Sequence, residues 1–189
     1  MNKAFVKEDD SLISQVPEPG PDAHSDIPPG AKNYMTPGGM EKLRTELHRL
    51  ANEQRPQLIE RINRSRTHDA DRVTADEFNE AKRELRKTDL RIDFLSRRLE
   101  LAEVVDPLKV RSEHVQFGAT VQVLHEDGLT KTYRIVGIDE ADIDRGRIGW
   151  TSPLAKALLD AKAGDAVNFK SPGGEEELEV LSVDYLEIR

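Results

Sequence analysis

The chain of 189 residues has no cysteine, which removes disulfides, thiolate metal sites and a cysteine nucleophile and agrees with a reducing compartment. No targeting segment is expected, since Met1 to Phe5 run straight into Glu8, Asp9 and Asp10 without the apolar core of a signal peptide, and no other stretch is apolar enough for a membrane span. A soluble, cytoplasmic protein without membrane contact is therefore expected. Basic charge is short as well. The formal net charge of -8 argues against a protein that coats duplex DNA through a general basic surface. Phosphate-loop and nucleophile-elbow patterns are missing, since Gly173-Gly174 has neither the lysine nor the following helix such a loop needs.

What is present is 37% hydrophobic and 34% charged residues, a balance that fits long solvated helices beside a modest core, in two small domains. Residues 1–33 hold Pro17, Pro19, Pro21, Pro28 and Pro29 among acidic and small residues and read as a disordered leader. Order is expected from Tyr34, with Thr36 capping a helix that accepts Pro37 in its first turn. Leu43, Leu47, Leu50, Leu58 and Ile62 then mark one face of a helix over 37–67, with a kink expected at Pro56.

The return helix carries Phe78, Ala81, Leu85, Thr88, Ile92, Leu95, Leu99 and Ala102 three and four apart, the spacing of a two-stranded seam. Thirty helical residues reach ~45 Å, longer than a small domain is wide, so this hairpin of residues 34–107 must project. Its turn, residues 69–77, is acidic through Asp69, Asp71, Asp76 and Glu77. The shafts behind it are basic, with Arg64, Arg66, Arg72, Lys82, Arg83 and Arg86, among others including Arg61 and Arg98. A polyanion can lie along such a shaft while the tip offers carboxylates to a hard cation.

After Pro107 the pattern changes to short strands, and residues 108–189 read as a second, α+β domain on an antiparallel sheet. Strands are expected at 115–124, 131–138, 147–150, 166–170 and 178–186, with a short helix over 152–161 capped by Ser152 and opened by Pro153. Trp150, Phe117, Phe169 and Tyr133 read as core. His48, His68, His114 and His125 are scattered; His68 beside Asp69 reads as an ordinary exposed residue, and none is assigned a catalytic role.

Several stretches together carry a family resemblance. They are Asn33 to Gly39, Arg55-Pro56, Lys82 to Asp89, Val104-Val105-Asp106, Phe117-Gly118-Ala119, Tyr133 to Gly137, and Ser152 to Leu159 followed by Gly164-Asp165. In this order they resemble the bacterial Gre transcript-cleavage factors, especially the GreB type, over residues 34 to 189.

The resemblance implies an antiparallel helical coiled-coil hairpin followed by an FKBP-like domain. It implies a monomeric accessory factor, not itself an enzyme, whose partner is RNA polymerase engaged in a backtracked transcription elongation complex. The globular domain would dock through Ser152, Pro153, Leu154 and Ala155, and the hairpin would enter the secondary channel. Tip carboxylates would then help hold Mg2+ shared with polymerase while the polymerase hydrolyses the extruded RNA. At the tip the chain departs from the family pattern. Asp71 and Arg72 match an Asp-Arg pair, but Thr74 and Ala75 stand where Glu and Asn are expected, leaving Asp69, Asp76 or Glu77 to replace the missing ligand. Two other readings stay open: a channel-occupying regulator or inhibitor without cleavage, and a helical adaptor or chaperone unrelated to polymerase.

Overall fold

The computed structural model describes residues 27, 32–67, 72–171 and 174–188. Most of the leader lies outside that range, but Ile27 is buried and Asn33 is already part of a strand.

Helix α1, Pro37–Arg49, starts as the sequence predicts: Thr36 is extended, and its hydroxyl accepts the Gly39 N–H at 3.1 Å. A π-helical turn, Leu50–Gln54, follows, and α2 continues over Arg55–Thr67. This turn is the form taken by the interruption expected at Pro56. The Arg55 N–H reaches back five residues to the Leu50 carbonyl, opening the turn where Pro56 has no N–H to give. It has a second effect. Leu50 and Leu58 are eight residues apart, a step that in a plain α-helix would leave them about 80° out of line. The wider turn absorbs one residue, and both leucines are buried.

Helix α3, Arg72–Glu100, returns along them, burying Ala81, Thr88 and Leu95 at heptad spacing. Because the helix already begins at Arg72, Asp76 and Glu77 belong to it, and the turn is shorter than the expected 69–77. Gln54 donates to the Thr88 hydroxyl across the seam at 3.3 Å. Exposed ion pairs flank it: Arg55 with Asp89 at 2.8 Å, and Arg61 with Glu80 at 3.1 Å and Glu84 at 3.2 Å. Such pairs contribute at most about 1 kcal/mol each, so the apolar seam carries the hairpin.

At the base, β1 (Asn33–Met35) and β2 (Ala102–Val104) pair in parallel, Met35 opposite Val104. Ala102 is therefore a strand residue and not the last residue of the helical seam. Met35, Leu43, Leu50 and Leu95 form the hairpin's own core.

The second domain is a five-stranded sheet in the order β5-β4-β3-β7-β6, with β3 Thr120–Leu124, β4 Thr130–Val136, β5 Arg147–Gly149, β6 Ala166–Ser171 and β7 Gly174–Asp184. The pairings are antiparallel as expected, except that edge strand β5 runs parallel to β4. Alternate residues Val121, Val123, Leu178 and Val180 face inward to meet Ala155 and Leu158 of α4, Pro153–Leu158. The helix is shorter than expected, since Asp160 turns the chain at φ 67°. Trp150, Phe169 and Tyr133 pack against this core as expected. Among the described residues no helix is long and apolar enough to cross a membrane.

Candidate functional site

The hairpin has an anchored end and a far end, and its chemistry depends on both. At the anchored end the joint is built from one 3-10 turn of the globular domain, Ile138–Glu140, gripping both helices at once. The Glu140 carboxylate accepts the Thr36 N–H at 2.9 Å and the Gly137 N–H at 3.1 Å, and it also accepts the Thr36 hydroxyl. Because Thr36 is the cap of α1, the same side chain that starts the helix ties it to the other domain. Two glycines make room. A Cβ on Gly39 would sit 2.2 Å from Cδ of Glu140, and one on Gly137 would sit 2.6 Å from Oε2 of Glu140.

The neighbouring carboxylate serves the other helix. Nε of Arg98 lies 3.4 Å from Oδ1 of Asp139, and the Asn33 amide donates to the Arg98 carbonyl at 3.2 Å and to Oδ2 of Asp139 at 3.5 Å. Arg98 reads in the sequence as one more charge on a solvated shaft. In the structure it is 1% exposed, with its guanidinium 5.1 Å from the Phe94 ring centroid. Tyr34 completes the joint, its ring 5.9 Å from that of Phe117 and 5.7 Å, edge-on, from that of Trp150.

Of the tip carboxylates, Asp69 and Asp71 lie outside the described residues, as do the side chains of Arg66 and Arg72. Asp76 and Glu77 are exposed in the early turns of α3, beside an open depression that Asn79, Glu80 and Arg83 also line. They join none of the ion pairs formed among the described residues. Nor do three His, Asp or Glu side chains gather anywhere among the described residues to hold a metal on their own. Two exposed carboxylates suit the role of added ligands to a hard cation held mainly by another body.

The basic shaft is accessible where it is described. Lys82, Arg83 and Arg86 are exposed, with Lys82 4.7 Å from the Phe78 ring centroid, while exposed Arg64 bonds Glu60 at 2.8 Å. Nearer the base, Arg91 grips Glu46 through two hydrogen bonds of 2.8 and 2.9 Å, which hold the Glu46 carboxyl below its ordinary range.

At the proposed docking turn, the Ser152 hydroxyl accepts the Ala155 N–H at 3.2 Å, fixing the start of α4. Pro153 is exposed, and Ser152 and Leu154 are half-buried. Ala155, grouped with them in the sequence reading, is wholly buried, so it supports the turn from beneath and offers no surface of its own.

Sequence reasoning missed three features. Asp139 and Glu140 carry no motif that singles them out in the sequence; the signal lay in Gly39 and Gly137, where a side chain would collide with the Glu140 carboxylate. Arg98 was hidden among many arginines. His125 is buried, with Nδ1 2.7 Å from Glu176 and Nε2 3.0 Å from the Tyr133 hydroxyl. Burial, and then the Glu176 carboxylate, push the Tyr133 phenol up from its usual range.

Comparison with known proteins gives a consistent result. Residues 110–185 match the family described as "Transcription elongation factor, GreA/GreB, C-term", and residues 33–104 match "Transcription elongation factor, N-terminal". The chain is 45% identical over 158 residues to transcription elongation factor GreB of Neisseria meningitidis serogroup B, covering 83% of this chain and 96% of that protein. It is 41% identical over 157 residues to transcription elongation factor GreA of Alkalilimnicola ehrlichii, covering 82% and 99%. A crystal structure of GreA factor homolog 1 of Thermus thermophilus is similar at 25% identity, covering 81% and 99%, with whole chains overlapping only loosely at a TM-score of 0.38.

Proposed function

Because the chain belongs to the GreA/GreB family of transcription elongation factors, we propose that it acts on RNA polymerase from the cytoplasm by docking its globular domain and inserting the hairpin into the secondary channel. The observation that carries this reading is the hairpin itself. Helix α3 alone runs 29 residues. The hairpin is anchored at one end by Asp139, which holds α3, and Glu140, which holds the start of α1, and its other end carries the acidic segment of Asp69, Asp71, Asp76 and Glu77.

Within that reading each group has a task. Ser152, Pro153 and Leu154 present the docking turn to polymerase. Lys82, Arg83 and Arg86, with Arg64, Arg66 and Arg72, give the backtracked RNA a cationic track, since phosphates are neutralised by Lys and Arg. Asp71 is the tip carboxylate at the matching family position, and Asp69, Asp76 and Glu77 are the acids from which the second comes, Thr74 being neutral. Mg2+ in the polymerase complex would supply Lewis-acid stabilisation of the attacking and leaving oxygens. The factor is an accessory that lends residues to another enzyme and acts as a monomer, its seam already closed within one chain.

The test is RNA cleavage in a defined backtracked elongation complex, with and without the protein, over a range of Mg2+ concentrations. Shortened transcripts that resume extension, lost in Asp71→Ala with polymerase binding intact, support the reading. Uncleaved RNA despite binding overturns the cleavage step. It would establish the second reading, a channel-occupying regulator, which Thr74 in place of the family's acid favours.

A further inference from the structure

We infer that Glu140 is a positioning residue, which sets the direction in which the hairpin leaves the globular domain and thereby where the tip comes to rest. The inference builds on the reading of the hairpin as a tip-delivery device. Glu140 sits at the fulcrum. Its carboxylate takes donors from both sides of the joint, the Thr36 N–H and hydroxyl from the hairpin and the Gly137 N–H from its own domain. These are charge-assisted hydrogen bonds, roughly twice as strong as neutral ones and directional. Packing leaves the carboxylate little freedom to move, since Gly39 and Gly137 bring backbone to where a methyl group would collide with it.

The lever arm turns a small local looseness into a large distal one. At ~1.5 Å per residue α3 extends about 43 Å, so a swing of about 5° at the base displaces its far end by about 4 Å. Misplacing a reacting group by ~1 Å can already cost ~100-fold in rate. Docking would be spared, because the Ser152–Leu154 turn belongs to the globular domain and is fixed by its own Ser152–Ala155 hydrogen bond.

Two measurements test this in the full-length chain. The absence of native cysteine allows Asn79→Cys and Asn168→Cys, both exposed positions away from the joint, to carry the only two spin labels. Pulsed dipolar spectroscopy then reads the hairpin-to-domain distance in the free protein. Asn79 lies about 32 Å along α3 from the joint, so Glu140→Ala should widen that distribution by about 3 Å or more, and Thr36→Val should do the same, whereas Thr36→Ser should restore the parental width. An unchanged distribution in Glu140→Ala and Thr36→Val overturns the inference.

In polymerase assays on the unlabelled protein, Glu140→Ala should lower the maximal effect at least about tenfold while the half-saturating concentration stays within about twofold. A rise in half-saturating concentration that accounts for the whole loss overturns it too, since Glu140 would then be a docking residue. If the parental protein has no effect on polymerase, the functional reading fails, and the distance distributions alone still decide whether Glu140 fixes the hairpin. Should Glu140→Ala fold poorly, Thr36→Val and Thr36→Ser carry the same distinction.

Discussion

Nε of Arg98 stands 3.4 Å from Oδ1 of Asp139, joining the last turn of α3 to the globular domain with both side chains almost wholly out of water. A charge in that position is tolerated because the opposite charge, the Phe94 ring face and the Asn33 amide gather around the pair. Removing one partner should therefore cost more than removing both.

Asp139→Ala is expected to destabilise the protein by about 3–5 kcal/mol, because it takes a carboxylate away from the buried Arg98 cation. Arg98→Met combined with Asp139→Ala should lose less than Asp139→Ala alone. Urea unfolding of the three proteins checks this; a double variant less stable than the single would show that the pair is held for another reason.

Gly39→Ala should lower stability by about 1–3 kcal/mol despite alanine's better helix propensity, because the methyl group displaces the Glu140 carboxylate. In a Glu140→Ala background the same change should turn neutral or stabilising by up to about 1 kcal/mol, as propensity alone would give. A double-mutant cycle with no coupling would mean that the carboxylate yields without loss.

Pro56→Ala should raise the melting temperature, restoring an N–H donor to an exposed helical position. The gain should fall well short of the ~3 kcal/mol separating proline from alanine in a helix interior, because the π turn already accommodates the missing bond. A lower melting temperature would show that proline is needed to hold the open turn.

Acid should weaken the Glu46–Arg91 clamp. Hydrogen bonds from Arg91 hold the Glu46 carboxyl lower in the folded chain than in the unfolded one. Its contribution is therefore present above the unfolded value, near 4.3, and disappears as pH falls through the lower, folded value. Both side chains are substantially exposed, which keeps the effect below about 1 kcal/mol. Comparing stability against pH for the parent and Glu46→Gln should show the two curves converging in acid; a constant gap would assign Glu46 a role unrelated to charge.

The hairpin and the start of α4 were legible in the sequence because their causes are local and periodic. Leucine spacing, the Thr36-Pro37 start and the Ser152-Pro153 start each announce themselves within a few residues, and all three appear in the structure. The joint was not legible, because its causes lie far apart in the chain. Thr36 and Glu140 are 104 residues apart, and nothing near either one points to the other. Arg98 shows the limit of pattern reading on charged helices, since Arg83, Arg86, Arg91, Arg97 and Arg98 look alike until one meets Asp139. His125 was overlooked for the same reason: its partners Tyr133 and Glu176 reach it only once β4 and β7 flank β3.

The π turn of Leu50–Gln54 has a consequence for inheritance. Gaining or losing one codon within a coiled coil ordinarily rotates everything beyond it by about 100°, so such changes should seldom survive. Here the eight-residue step from Leu50 to Leu58 and the proline at position 56 make each other tolerable: the additional residue opens the turn that the proline requires. A deletion among Ala51, Asn52 and Glu53 would restore a regular seven-residue step but drive the Pro56 ring into the carbonyl four residues before it. The shortened arm becomes viable only if the proline is replaced as well, so across descendants the lost codon and the lost proline should travel together.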